Sequence, residues 1–309
     1  MEIDHTSHQP SERAGPRYDS HVSGPPLACT VRACGAALTR HGRSYGCPRG
    51  HGYDMARSGY VNLLQPQDRR SVQAGDTREA VGSRAALERA GVGEALVWAV
   101  RRVMVEWALP DAAVVVDLGA GTGYALAAVS SASVVTAVGI DLSVAAVTHA
   151  ARHWPGPTWV VANADRRLPL LDGCADLVLS LHARRNPAEV VRVLKPEGRL
   201  LVAVPAPDDL VELRAFVQGA RVTRDRVGAL VAEHEGHFAR ERTFRVADER
   251  RLESGLLRAL LGATYRGART SVGPRVATLG TLTVTLASDV CVFRPRRGVG
   301  VRPQHTVRD

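Results

Sequence analysis

The sequence predicts an α/β protein: an open, mostly parallel sheet covered by helices on both faces, preceded by a small module that needs a metal staple. Three observations carry this reading. From Pro110 onward, short runs rich in Val, Ile and Leu alternate with helix-length segments, the grammar of strand–helix–strand units. A glycine-rich turn, Gly119-Ala-Gly121-Thr-Gly123, joins the first of those runs to the first helix. Upstream, three of the five cysteines crowd together with a histidine in a stretch too poor in large apolar residues to hold a core of its own.

In chain order, residues 1–25 are polar and read as a tail. Residues 26–64 form the Cys-, Gly- and Arg-dense module, and residues 65–108 a helical connector. Within the connector, the run from Asp76 to Trp107 reads as two helices broken at Gly91-Val-Gly93, with Val97, Val100, Met104 and Trp107 near helical spacing. Residues 109–309 form the sheet domain. Its expected strands are Val114–Asp117, Val134–Asp141, Thr158–Ala162, Asp176–Leu181 and Arg199–Val204. Helices are expected at Tyr124–Ser130, at Val144–His153 with Ser143 as its cap, and at Pro187–Leu194. The remainder to about Gly280 reads as mixed and helix-leaning, and Leu282–Leu286 and Asp289–Arg294 as terminal strands that complete the sheet.

Composition bounds the function. With 309 residues, 45% apolar content and a mean hydropathy of −0.08, collagen, coiled coil and full-length disorder are excluded. Uncharged apolar stretches such as Ala112–Val116 and Val134–Ile140 fall far short of the roughly 20 residues that cross a bilayer, so no membrane role is expected. The first residues lack the apolar core of a secretory signal, which leaves a cytoplasmic enzyme or binding protein. A net charge of +9 suits a polyanionic partner and equally a solvated basic surface. Every basic residue but Lys195 is Arg, a skew that a GC-rich genome explains as well as selection for guanidinium chemistry.

The turn is the strongest chemical signal. A dinucleotide fingerprint requires G-x-G-x-x-G, but counting from Gly119 puts Tyr124 where its third glycine belongs. G-x-G-x-G preceded by Asp117 instead resembles the cofactor loop of the class I (Rossmann-like) S-adenosylmethionine-dependent methyltransferases. There, glycine backbone admits close approach of a donor that has an amino-acid end, a sulfonium and a ribose, and Asp117 can orient its amino group. Asp141 closes the second strand, where an acidic side chain can accept both ribose hydroxyls. Asn163-Ala-Asp165 follows the third strand, the place of an acidic residue beside the adenine amino group, and Leu194-Lys-Pro-Glu-Gly198 matches the turn into the fifth.

Cys29, Cys34, Cys47 and His51 offer three thiolates and an imidazole, a tetrahedral set suited to structural Zn²⁺. Four protein ligands leave no open position, so the ion's expected task is folding the module. Cys174 and Cys291 stand alone in strand-like runs and read as packing residues. Arg32, Arg40, Arg43, Arg49 and Arg57 interleave with Tyr45, Tyr53 and Tyr60 around the cluster, a pattern that suits structured RNA and equally an ordinary solvated rim.

Together these residues resemble the 23S rRNA (guanine-N1)-methyltransferases of the RlmA and tylosin-resistance type. The markers are Cys47-Pro-Arg-Gly-His51-Gly-Tyr-Asp-Met-Ala-Arg, Gly59-Tyr-Val-Asn-Leu-Leu64, the Asp117–Gly123 loop, Arg185-Asn-Pro-Ala-Glu189 and Leu194-Lys-Pro-Glu-Gly198. The resemblance implies a zinc module that helps grip an rRNA hairpin and a class I domain that methylates a guanine ring nitrogen near the macrolide-binding exit tunnel, with macrolide resistance as the outcome. It implies Cys29, Cys34, Cys47 and His51 as zinc ligands, and Asp117, Gly119, Gly121, Thr122, Gly123, Asp141, Asp165 and Asp209 as cofactor positions. Its implied partner is 23S rRNA, free or in the large subunit, with the assembly state open, a homodimer included. Four departures stand out. The first cysteine pair is spaced by four residues rather than two; a cofactor-contacting tyrosine of relatives falls near Gly93 and a histidine on Asp209; and the family's Ala-Pro reads Ala183-Arg184. Two other readings use the same residues: a small-molecule methyltransferase with the module as a lid, and a non-catalytic zinc-containing RNA-binding protein. His182, after the fourth strand, is a candidate for handling the guanine proton.

Overall fold

The structure is a computed structural model in which residues 24–68, 75–131, 135–218, 225–263, 278 and 280–296 are described. Most of the expected tail, residues 1–23, lies outside them. Three short strands come first: β1 (Thr39–His41), β2 (Ser44–Gly46) and β3 (Gly52–Asp54), an antiparallel meander in the cysteine-rich module. The elements β4 (Val61–Asn62), α1 (Arg78–Arg89), α2 (Glu94–Glu106), β5 (Val114–Leu118), α3 (Tyr124–Ser130), β6 (Thr136–Asp141) and α4 (Val144–His153) follow. Then come β7 (Thr158–Val161), β8 (Ala175–Leu181), α5 (Pro187–Val193), β9 (Leu194–Pro205), α6 (Val211–Gln218), α7 (Val227–His234), β10 (Phe238–Leu252), α8 (Ser254–Ala263) and β11 (Leu282–Pro295).

Among the described residues, an eight-stranded sheet runs β4-β7-β6-β5-β8-β9-β11-β10. Pairing is parallel from β4 through β9, and β11 is antiparallel to both neighbours. Strand β5 is buried along its whole length because both faces of the sheet are covered there. Its neighbours β6 and β8 depart in opposite directions, so a crevice opens beyond its carboxyl end.

Local chemistry places the helices. Ser143 accepts a hydrogen bond from the Ala146 amide at 3.1 Å and starts α4, while Thr77 does the same for Ala80 and starts α1. Gly91 and Gly93, both at positive φ, separate α1 from α2 where the break was expected. Trp159 on β7 is buried with its indole across the β5–α3 turn and β6: a Cβ on Gly123 or Gly139 would come within 2.5 or 2.2 Å of the ring. The third glycine of the turn therefore has a packing role besides its φ of 81°.

One expectation fails, that of two separate terminal strands. The mixed, helix-leaning stretch before Gly280 holds α6, α7 and α8 and also the 15-residue strand β10. Its alternation places Phe244, Val246, Asp248 and Arg250 inward, but the last two are charged and erase the period-two apolar signal. Arg250 is satisfied there by the carbonyls of Ala90 and Gly91. The two terminal strands are one, β11, because Ala287 and Ser288, read as a break, continue the ladder with Ala247 and Val246.

The module is stitched to the sheet rather than tethered beside it. Strand β4 pairs with β7, Leu63 donates to the Val161 carbonyl, and Ala28 and Leu171 bond across to Pro169 and Pro26. Leu27, Leu38 and Tyr45 share one apolar core with Leu168, Leu170 and Val160. Arg192 braces the far side of that seam, donating to the Leu168 and Leu170 carbonyls while paired with Glu189 and Asp172.

Because the indole leaves no room at Gly139, Gly139→Ala is expected to destabilise the protein by about 1–3 kcal/mol in urea unfolding with an unchanged m-value. A stability equal to that of the unsubstituted protein would show that the Trp159 contact is not tight.

Candidate functional site

The turn after β5 is held in place before any ligand arrives. Gly119, Gly121 and Gly123 all lie at positive φ, and the amides of Gly119 and Ala120 bond to the Ile140 carbonyl at 2.8 and 3.1 Å. The Asp141 carboxylate accepts from the Gly121 amide at 2.9 Å and the Ser143 amide at 2.7 Å, tying the turn to the start of α4. The Ser143 hydroxyl donates to the Asp76 carbonyl, and Asp76 pairs with Arg84 at 2.6 Å, which brings in α1.

Above the turn lies a cavity of about 1070 Å³, just above the roughly 300–1,000 Å³ usual for small-molecule pockets. Asp117, Gly119, Gly121, Thr122, Asp141, Asp165 and Asp209 all line it, as do Gly93 and His182. Gly123, the remaining loop position, is turned away beneath Trp159. Asp165 pairs with Arg184 at 3.2 Å, and Asp209 accepts from the Ala287 amide at 3.0 Å.

Asp117 is the outlier. Burial, and then the charge of Asp141, raise its carboxyl to about 8, and its buried Oδ1 has no hydrogen-bond partner among the described residues. An orphaned buried carboxyl oxygen is costly unless something supplies a donor. An ammonium does so, and the open glycine backbone beside it admits a bulky ligand. The cavity thus fits S-adenosylmethionine, which carries both an α-amino group and a ribose.

Sequence reasoning missed the wall that α1 contributes. Glu88 accepts a short hydrogen bond from the Thr122 hydroxyl, burial raises its carboxyl, and Arg84 lies 3.0 Å from where a Gly121 Cβ would sit. Arg84 and Glu88 are spaced as an ordinary surface pair of an amphipathic helix, so nothing local marks them as cavity residues.

In the module, the Cys29, Cys34, Cys47 and His51 ligand atoms lie within 4.8 Å of one another. Cys29 Sγ and Cys47 Sγ are each 3.4 Å from His51 Nδ1, and Cys34 Sγ is 3.9 Å from Cys47 Sγ. A tetrahedral ion with bonds of about 2.3 Å to sulfur and 2.0–2.1 Å to nitrogen requires edges of about 3.5–3.8 Å, so the set fits Zn²⁺. The wide first spacing is absorbed by a turn in which Ala33 and Gly35 take φ of 59° and 64°. The tyrosines face inward: Tyr45 is buried, Tyr53 bonds to Cys29 Sγ and Thr30, and Tyr60 packs on the sheet. Arg32, Arg40, Arg43, Arg49 and Arg57 remain exposed on the rim.

Comparison with known proteins agrees with this division. A model of the RlmA N-terminal zinc ribbon matches residues 28–72, and a methyltransferase-domain model matches residues 115–198. The chain is 36% identical over 271 residues to a 23S rRNA (guanine(748)-N(1))-methyltransferase of Streptomyces fradiae, an alignment covering 85% of this chain and 95% of the relative. It is 40% identical over 208 residues to a Micromonospora griseorubida protein provisionally named for 23S rRNA guanine-N1 methylation, covering 61% of this chain and 68% of that one. Among solved structures, a TehB-like S-adenosylmethionine-dependent methyltransferase from Corynebacterium glutamicum superposes with a TM-score of 0.42 at 18% identity, covering 71% of this chain and 98% of the other.

The metal prediction follows from the donor set. The protein as purified is expected to hold about one zinc per chain. Cys29→Ser and Cys47→Ser are each expected to release it to a chelator that leaves the unsubstituted protein loaded. Retention of zinc by Cys29→Ser would remove that residue from the ligand set.

Proposed function

We infer the reaction from one premise: the chain belongs to the RlmA-type family of 23S rRNA (guanine-N1)-methyltransferases. It is an S-adenosylmethionine-dependent enzyme with a structural zinc. Its target is N1 of a guanine in a 23S rRNA hairpin beside the peptide exit tunnel, at the position the S. fradiae relative modifies, guanine 748. A methyl there obstructs macrolide binding, so the biological outcome is resistance, in the manner of self-protection by an antibiotic producer. The observation that carries the reading is the orphaned Asp117 carboxyl beneath a glycine-lined cavity, on a chain whose arginine-rimmed module is joined to the same sheet through β4.

S-adenosylmethionine supplies an electrophilic methyl group, so the chain's own work is placement. Asp117 receives the donor's ammonium, and the backbone at Gly119 and Gly121 with Thr122 borders its amino-acid end. Asp141, already bonded to two amides through its two oxygens, keeps lone pairs for ribose hydroxyls. Asp165, at the rim with Arg184, stands at the adenine end. Asp209 lines the opposite wall. The upper part of the cavity is left for a guanine drawn out of its stack, because its Watson–Crick edge must face the methyl group. The module's arginines hold hairpin phosphates as bidentate or point contacts, and Arg40, Arg43 and Arg49 are steadied by donating to the Gly42, Ala56 and Ala33 carbonyls.

Two outcomes are expected. With a folded-state carboxyl near 8 against an ordinary 3.8, Asp117 is protonated in the free protein at neutral pH, and an ammonium neighbour favours its charged form. Donor binding is therefore expected to release up to about one proton near pH 7, fading as pH rises past 8, in titration calorimetry across buffers of different ionisation enthalpy. Asp117→Asn is expected to abolish that release; net proton uptake by the unsubstituted protein would contradict the assignment. In cells, expression is expected to create a reverse-transcription stop at one guanine of 23S rRNA and raise macrolide tolerance. Methyl transfer to the macrolide itself with no rRNA stop would favour the small-molecule reading.

A further inference from the structure

We propose that His182 is a catalytic residue of this enzyme, the group that takes the guanine N1 proton as the methyl is transferred; this rests on the guanine-N1 reading above. His182 follows β8 at the carboxyl end of the sheet and lines the cavity. The residue is exposed where it borders the cavity. The backbone there is strained, with φ of 58° on a non-glycine residue, a conformation that persists only when the surroundings impose it.

Three contacts impose it. The His182 amide bonds to the Ala203 carbonyl at 2.9 Å, the Arg185 guanidinium donates to the Ala183 carbonyl at 2.9 Å, and Arg185 is itself buried against His234. Ala183 meets the glycine turn so closely that a Cβ on Gly119 would come within 2.4 Å of its own. The imidazole is thus one residue from a contact with the donor loop. The ring is oriented by Ser288 on β11, whose Oγ is 2.9 Å from Nε2. With Nε2–H donating to that hydroxyl, Nδ1 carries the lone pair. Desolvation, then the charges of Arg84 from α1 and Arg226 ahead of α7, hold the imidazole below its usual range, so it is neutral and able to accept at neutral pH.

The step balances. Guanine N1 forms a bond to the methyl carbon, the carbon–sulfur bond breaks with its electron pair on sulfur, and the N1 proton passes to Nδ1 of His182. The sulfonium charge is thereby replaced by an imidazolium charge, which solvent discharges after product leaves. Ser288 acts as a positioning residue by accepting from the opposite nitrogen.

The test uses the full-length enzyme on 23S rRNA. His182→Gly suits the backbone, since glycine adopts φ of 58° without penalty, and is expected to melt no lower than the unsubstituted protein. Its kcat is expected to fall about 10²-fold or more, with donor and rRNA dissociation constants within about twofold of the unsubstituted values, and added imidazole is expected to restore at least a tenfold rate. Retention of kcat within threefold, or a loss that imidazole leaves unchanged, would overturn the assignment. Should the unsubstituted enzyme itself place no methyl on guanine N1, the parent reading fails instead, an outcome distinguishable because it needs no variant.

Discussion

The site depends on one carboxylate. Asp141 stands at the end of β6 and spends one oxygen on the Gly121 amide and the other on the Ser143 amide. Those two bonds join the glycine turn to the first turn of α4, and through Ser143 and Asp76 they reach α1, the cavity's outer wall. Charge-assisted bonds to backbone amides contribute about 1.5–3 kcal/mol each, enough to hold a loop of glycines that would otherwise sample many conformations. Burial pushes the Asp141 carboxyl upward while the Ser143 and Gly121 amides pull it down, so the same bonds that order the turn favour its charged form. A donor that meets this turn finds it already shaped, and the ordering cost is not charged to binding.

A second constraint is the union of the metal module with the sheet. A cluster of four ligands can fold a short segment, but it cannot by itself aim that segment at a substrate. Here, β4 extends the parallel sheet and the module's apolar residues enter the domain core, so the exposed arginines are fixed relative to the cavity. Rigid registration is what an rRNA substrate demands, because gripping phosphates helps methylation only if one base then falls at the donor.

Much of this was legible in the sequence. The order of strands from β5 to β9, the Ser143 cap, the break at Gly91 and Gly93 and the metal cluster all follow from local rules about β-branched runs, orphan amides, positive φ and thiolate grouping. What escaped was determined by partners distant in sequence. β10 lies in a stretch that reads as mixed and helix-leaning until β11 pairs along it and the Ala90 and Gly91 carbonyls accept from its inward Arg250. Glu88 and Arg84 read as a solvated helix face until the cavity forms against them. The module's tyrosines read equally as a stacking surface for RNA and as part of a solvated rim, yet burial of Tyr45 and the bond from Tyr53 to Cys29 make them part of its interior.

Nucleoside mass spectrometry after incubation of the protein with 23S rRNA and a deuterated-methyl donor tests the central claim most directly. The account predicts a labelled 1-methylguanosine as the single modified nucleoside, in an amount that approaches one per rRNA. Label on another ring position, or none on RNA under conditions where the donor binds, would contradict it.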